Sequence, residues 1–434
     1  MDSTSVSSDS STISIKKLLA VFAGGNLVCM VLRMVGGLLV ARATRPEVLG
    51  LFNGLSLVLG YVPFLQLGVI NGLNRELPYY VGLADKRKAR ALAACAQAWA
   101  LMVGTAVAAA LMGVAVYELC NGQYELAFGW LTQAWMAFQV VFTQLYLIVI
   151  FRTGGSFHKL TTSNVIQAVS SFLLIGVVWI SGFYGLCIRA ALASLVALYT
   201  LWKWRPLKVR AVWDTESFKH LLKIGAPIIC AGQIYAWWMV LDSTLVLRYM
   251  GVHGLGIYAV AIMATSVIEL APTSLSQICY PRMAEEYGRT GSLRAVTRIM
   301  KRPMVYLTLA YIPLVFAGWF IAPPAIRILL PKYVESIRAV QWSCIAAALL
   351  VLLPINLIFL VIKRIHLYLV ATVIGIGAYA LAVLILYKHN HDLSIFPKSL
   401  IIGRILFFIV CFGIVRDFKV GGKYENQEQA LRAM

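Results

Sequence analysis

The chain has 434 residues, of which 60% are hydrophobic and 13% charged, against about 45–50% and about 25% in soluble domains. A water-soluble fold cannot cover that much apolar surface. The net charge of +20 is spread over many short segments, which argues against a nucleic-acid partner.

Residues 1–14 are polar and rich in Ser and Thr, with no charged stretch and apolar run of the signal-peptide kind. They read as a disordered cytoplasmic tail. Apolar runs then follow at 15–41, 48–72, 89–118, 126–151, 160–180, 184–202, 224–247, 255–280, 303–322, 336–362, 367–387 and 399–415. At about 20 apolar residues per crossing these make about twelve spans. The expectation is an all-α, polytopic membrane protein with no soluble domain.

Alternate connectors differ in basic content. The segments near 16–17, 73–90, 152–159, 203–223, 282–302, 363–364 and 416–432 hold most of the 38 Lys and Arg. By the positive-inside rule they face the cytoplasm, which places both termini there. The basic stretches 85–90 and 289–302 are expected to lie along the inner surface beside anionic lipid. All connectors are short, so a membrane polymerase or glycosyltransferase with a large outer loop is disfavoured. No Gly-rich phosphate loop appears. His389 and His391 form the one close histidine pair, and Asn390 and Asp392 complete a metal set poorly, so no metal site is expected. Eight cysteines show no CxxC spacing; Cys120 and Cys187 sit near the outer face, where a disulfide between them stays open.

The sequence repeats weakly at an offset of 206 residues. Arg42 falls on Arg248, Leu49-Gly50 on Leu255-Gly256, and Phe52 on Tyr258; further on, Gly82 falls on Gly288. The offset covers six spans, an even number, so the halves share one orientation and enclose a cavity about an axis along the membrane normal. The domains expected are a tail (1–14), a six-helix bundle (15–205), a cytoplasmic linker (206–223), a second six-helix bundle (224–416) and a tail (417–434).

Leu255-Gly256-Ile257-Tyr258-Ala259-Val260-Ala261, Tyr280-Pro281-Arg282-Met283-Ala284-Glu285-Glu286-Tyr287-Gly288, Lys223-Ile224-Gly225-Ala226-Pro227, and Leu67-Gly68 with Asn71-Gly72-Leu73-Asn74-Arg75-Glu76 together resemble polysaccharide-unit flippases. These belong to the multidrug/oligosaccharidyl-lipid/polysaccharide exporter superfamily. The resemblance implies a V-shaped pair of six-helix bundles in a bacterial inner membrane. It implies translocation of an undecaprenyl-diphosphate-linked oligosaccharide by alternating access, for O-antigen, lipopolysaccharide or exopolysaccharide assembly. A polysaccharide polymerase and a chain-length regulator are the implied protein partners. The runner-up is a cation-coupled multidrug exporter of the same superfamily.

Ionisable residues inside spans are costly and mark a lumen or ion path. Arg33 leads as a cation for a diphosphate, because guanidinium binds phosphate oxygens bidentately, with Arg189 and Arg404 behind it. Asp242 and Glu269 are candidates to hold a coupling cation, H+ or Na+, or to balance charge; the competing reading is an interhelical ion pair. Gln133, Gln139, Thr143 and Gln144, with Gln233 and Tyr235, suit a sugar-lined path, and Gln139 and Thr143 share a helix face. Trp237 and Trp238 fit sugar stacking or plain packing. Pro63, which falls on Glu269 in the repeat, and Pro272 mark expected kinks.

Overall fold

The computed structural model describes residues 15–362 and 364–420. The tails expected at 1–14 and beyond 420 lie outside the described residues, as does the Tyr235 side chain. Nearly every described residue is helical, and no strand occurs among them. In hydrocarbon this follows from the backbone, since a helix satisfies its own amide and carbonyl groups without water.

Among the described residues, nine helices are long and apolar enough to cross a membrane. The three other expected spans are helical too. Ile15–Ala43 is one helix. Phe157–Leu173 runs on into Ile175–Trp204, which is broken at Gly182 (φ 52°, ψ −115°). Thr215–Ile268 is broken at Gly251 (φ 68°, ψ −170°). Both glycines sit in the left-handed half of φ, where a Cβ is costly. Both breaks are chain reversals. The Tyr258 hydroxyl donates to Asp242 at 2.9 Å, although sixteen residues of straight helix would separate them by about 24 Å. Arg189 Nε reaches the Ser171 carbonyl at 2.8 Å across the Gly182 reversal. About twelve spans thus follow, as the hydropathy pattern requires.

Helix starts and stops obey local chemistry. Asp85 caps the Lys86–Cys120 helix through the Lys88 amide at 2.9 Å, and Pro46 occupies the first turn of Pro46–Ser56. Asp214 caps Thr215–Ile268, accepting from the Glu216 and Ser217 amides at 3.4 and 3.1 Å. Hydrogen bonds from the Ser217 hydroxyl and amide hold the Asp214 carboxyl below its ordinary range.

The expected 48–72 span is not one helix. Pro46–Ser56 passes through a 3-10 turn (Leu57–Gly60) and a short helix (Val62–Leu65), then breaks at Leu67 (φ 55°) and Gly68 (φ 91°) before Val69–Gly82. At the repeat-related place the chain also interrupts, at Glu269 between Ile268 and Leu270. Side chains take up carbonyls at both interruptions: Tyr311 donates to the Ile268 carbonyl, and Gln233 Nε2 lies 3.4 Å from the Gly60 carbonyl. The span at 126–151 likewise departs from regular helix, passing through π-turns at Val140–Leu147.

Contacts group the chain into two compact units, one holding residues up to Gly37 with Val69–Gly225, the other Leu38–Gly68 with residues from Ala226 on. Leu38–Gly68, the end of the first helix and most of the second span, therefore packs with the C-terminal residues. The packing has a visible cause. A Cβ on Gly50 would lie 1.9 Å from the Val252 carbonyl oxygen, and one on Gly256 would lie 1.8 Å from that of Pro46. In the 206-residue register Pro46 corresponds to Val252 and Gly50 to Gly256. One contact is thus made twice, as a two-fold crossing demands.

Candidate functional site

The second unit buries a charged cluster. Asp242, 8% exposed, accepts hydrogen bonds from the hydroxyls of Tyr258 at 2.9 Å and Tyr379 at 2.8 Å. Arg404 is 2% exposed; its Nη2 meets Glu269 Oε1 at 3.2 Å and its Nη1 donates to the Ala346 carbonyl at 2.5 Å. Nη2 also lies 3.7 Å from Met239 Sδ, one helical turn before Asp242. Arg404 and Glu269 are close enough to act electrostatically on Asp242. The cluster sets one guanidinium against two carboxylates. A proton or monovalent cation at Asp242 would neutralise it, and two phenols already present oxygen to that point. Arg404, expected from sequence to be a cargo ligand, is held here by Glu269 and the Ala346 carbonyl, and its Nε has no partner among the described residues.

The first unit carries the opposite sign. Arg189 is partly buried, and its one protein hydrogen bond goes to a main-chain carbonyl. No carboxylate pairs with it among the described residues. A Cβ at Gly36 would sit 3.8 Å from its Nη2, in ordinary van der Waals contact, so the guanidinium lies against the first helix. Arg33, one turn before Gly36 on the same helix, is exposed and makes no ion pair among the described residues.

Gln139 and Thr143 do share a face, the Thr143 hydroxyl donating to Gln139 Oε1, but both are buried inside the first unit, as is Gln133. Gln133 Nε2 and Oε1 and Gln139 Nε2 lack partners. Gln144 is exposed. In the second unit Gln233 supports the Gly60 carbonyl. Trp238 is 1% exposed and packs edge-on against Phe407 at 6.0 Å, which makes it core. Trp237 lies 4.9 Å from Phe64 and 6.4 Å from Tyr61, centroid to centroid. Cys120 and Cys187 are both free, the first exposed and the second buried, so the disulfide left open by sequence is not formed.

Three polar pairings escaped the sequence. Tyr258 and Tyr379 on Asp242 come from positions 16 and 137 residues away. Glu76, 9% exposed, bonds His220 Nε2 at 2.9 Å, fastening Val69–Gly82 to the start of Thr215–Ile268. His253 Nδ1 meets Glu47 at 2.7 Å beside the glycine crossing. Only the last carried a signal, because Glu47 and His253 are repeat equivalents.

Residues 132–338 match the family of polysaccharide biosynthesis proteins. No curated protein matches the chain. Among solved structures it is similar to a multidrug-resistance MATE transporter of the MOP superfamily in an inward-facing conformation, with TM-score 0.72 and 18% identity over 91% of this chain and 96% of that one. An outward-facing structure of such a transporter gives 0.63 at 17% identity, covering 94% and 97%. A MOP-superfamily transporter from Pyrococcus furiosus, described as having a binding pocket of reversed polarity, gives 0.62 at 17% identity, covering 92% and 95%. The chain therefore has the fold of the multidrug/oligosaccharidyl-lipid/polysaccharide exporter superfamily that its sequence resembles, and its central residues match the polysaccharide biosynthesis family.

Proposed function

We propose that this protein translocates an undecaprenyl-diphosphate-linked oligosaccharide from the cytoplasmic to the outer leaflet of a bacterial inner membrane, by alternating access and without making or breaking a covalent bond. Both termini are placed in the cytoplasm, and a polymerase and chain-length regulator act on the product. The observation that carries the reading is Arg189, a guanidinium partly buried in a spanning helix and paired with no carboxylate among the described residues. An uncompensated cation in hydrocarbon is costly, and a diphosphate supplies the missing charge with bidentate geometry. Arg33, exposed on the neighbouring helix, offers a second cation. Asp242 takes H+ or Na+ and couples the cycle to the ion gradient, while Glu269 balances Arg404.

A strain lacking the protein should accumulate the lipid-linked intermediate in the cytoplasmic leaflet. Arg189→Gln and Arg33→Gln should each relieve that accumulation about ten- to a hundredfold less well than the natural chain, the factor for losing a charged hydrogen bond. Full export by the double variant would refute the reading. The acidic cluster favours one rival, a cation-coupled exporter of small drugs, which needs acids in the bundle and has no use for Arg189. That rival predicts that deletion raises intracellular accumulation of cationic dyes and leaves the lipid-linked intermediate unchanged.

A further inference from the structure

Tyr61, Phe64 and Trp237 lie where the second span loses its helical form, and the cluster has the features of a ligand platform. The backbone comes first. Between Leu57 and Gly68 the chain passes through a 3-10 turn and a four-residue helix to a leucine at φ 55°. A left-handed leucine is strained, and such strain gathers at functional sites. Interrupted spanning helices also form the substrate sites of many transporters.

The side chains make the second argument. Tyr61 is 39% exposed, and its hydroxyl lies 3.4 Å from the Thr244 hydroxyl. Phe64 and Trp237 are partly exposed with ring centroids 4.9 Å apart. The Trp237 indole N–H is shut off from solvent and has no acceptor among the described residues. Trp135, by contrast, gives its N–H to Ser194 Oγ at 2.8 Å. An indole donor normally finds an acceptor when buried, and leaving it without one is costly. The cluster presents partly open aromatic faces beside the interrupted helix, where a flat apolar sugar face can stack.

We propose that Tyr61, Phe64 and Trp237 form a stacking platform for one sugar ring of the cargo, the apolar C–H face of the sugar lying on the rings. The assignment rests on the glycan reading above and adds to it the part of the cargo that is recognised. Gln233, bonded to the Gly60 carbonyl, is a positioning residue that holds the turn carrying Tyr61.

The test compares two probes on the purified protein in lipid nanodiscs: undecaprenyl diphosphate bearing a single N-acetylhexosamine, and undecaprenyl diphosphate alone. The natural protein should bind the sugar-bearing probe about tenfold more tightly, the ratio that corresponds to about 1.4 kcal/mol. Trp237→Ala and Tyr61→Ala should erase the difference and leave the bare probe's affinity unchanged, and Trp237→Phe should keep most of it. Tyr61 is exposed, so its variant keeps the test sound if Trp237→Ala melts early. Equal binding of both probes by the natural protein overturns the platform and leaves the diphosphate reading standing. Equal loss of both probes in Trp237→Ala and Tyr61→Ala also overturns it, as does no loss of either. Binding of neither probe by the natural protein overturns the platform and the cargo reading together.

Discussion

Removing one member of the Arg404–Glu269 pair separates a structural ion pair from a working one. In Glu269→Ala, Arg404 stays 2% exposed with one carbonyl, of Ala346, and the Met239 thioether as its partners. Its Nε is already without one. Breaking a buried pair costs about 3–5 kcal/mol because a charge is left uncompensated. The Glu269 side chain is 25% exposed, so water replaces part of the loss and the low end, about 3 kcal/mol, applies. At about 2–4 °C per kcal/mol for a unit of some 200 residues, the apparent Tm should fall by roughly 6–12 °C. Arg404→Met should cost less, because the remaining Glu269 carboxylate, 25% exposed, reaches solvent. In the double variant Glu269→Met/Arg404→Met both charges are gone, and replacing a buried pair by apolar groups is often neutral. The double variant should therefore melt higher than Glu269→Ala, with a coupling of about 2 kcal/mol. The assay is tryptophan fluorescence in detergent at one fixed scan rate, since membrane proteins commonly unfold irreversibly. Additive single losses would refute the pair as an energetic unit. Export adds a second readout: a double variant that melts normally and still exports shows the pair to be structural, and one that melts normally and fails to export assigns the pair to the cycle.

Asp242→Asn removes the charge while keeping oxygen for Tyr258 or Tyr379, so Tm should hold within a few degrees. Gradient-driven export should drop to its level without a gradient, and an unchanged gradient response would remove Asp242 from coupling. Gly50→Ala and Gly256→Ala each drive a Cβ to within 2 Å of a main-chain oxygen. Each should cost about 3 kcal/mol or block folding, and a normal melting curve for either would contradict the crossing. Asp214→Ala uncaps Thr215–Ile268 and should lower Tm at neutral pH. Because the folded carboxyl lies below its ordinary range, the cap's contribution exists above the unfolded pKa and is lost as pH falls through the folded one. The Tm difference from the natural chain should therefore vanish in acid; a difference that persists there would mean the cap does not act through its charge.

The spans were legible because each is a long apolar run, and hydrocarbon leaves the backbone no alternative to helix. The break in the second span was half legible. Pro63 announces a kink, but nothing in the residue type announces a left-handed Leu67. Asp242, Glu269 and Arg404 were legible as charges in apolar runs. Their partners were not, because Tyr379 lies 137 residues and Arg404 lies 135 residues away in sequence from the acids they meet. Sequence could say that Arg404 was expensive. It could not say that Glu269 and Ala346 would hold it, which is what separates it from Arg189.

The repeat supplies the link between the two charged regions. In the 206-residue register Asp242 falls on Gly36, Glu269 on Pro63, and Arg33 on Met239. The halves keep the glycine crossing, where a Cβ would clash, while these three charged positions correspond to neutral residues. Arg33 and Arg189 have no carboxylate paired with them among the described residues, whereas Asp242 and Glu269 share the single guanidinium of Arg404. A symmetric carrier would hold the same ligand twice. The proposed function divides the work instead, giving the anion to Arg33 and Arg189 and the cation to Asp242. That division makes a separable prediction: neutralising Arg189 should weaken binding of undecaprenyl diphosphate at any pH where Asp242 is undisturbed, and neutralising Asp242 should leave that binding intact while abolishing its dependence on the ion gradient. Equal effects of the two substitutions on binding of the anion would refute the division.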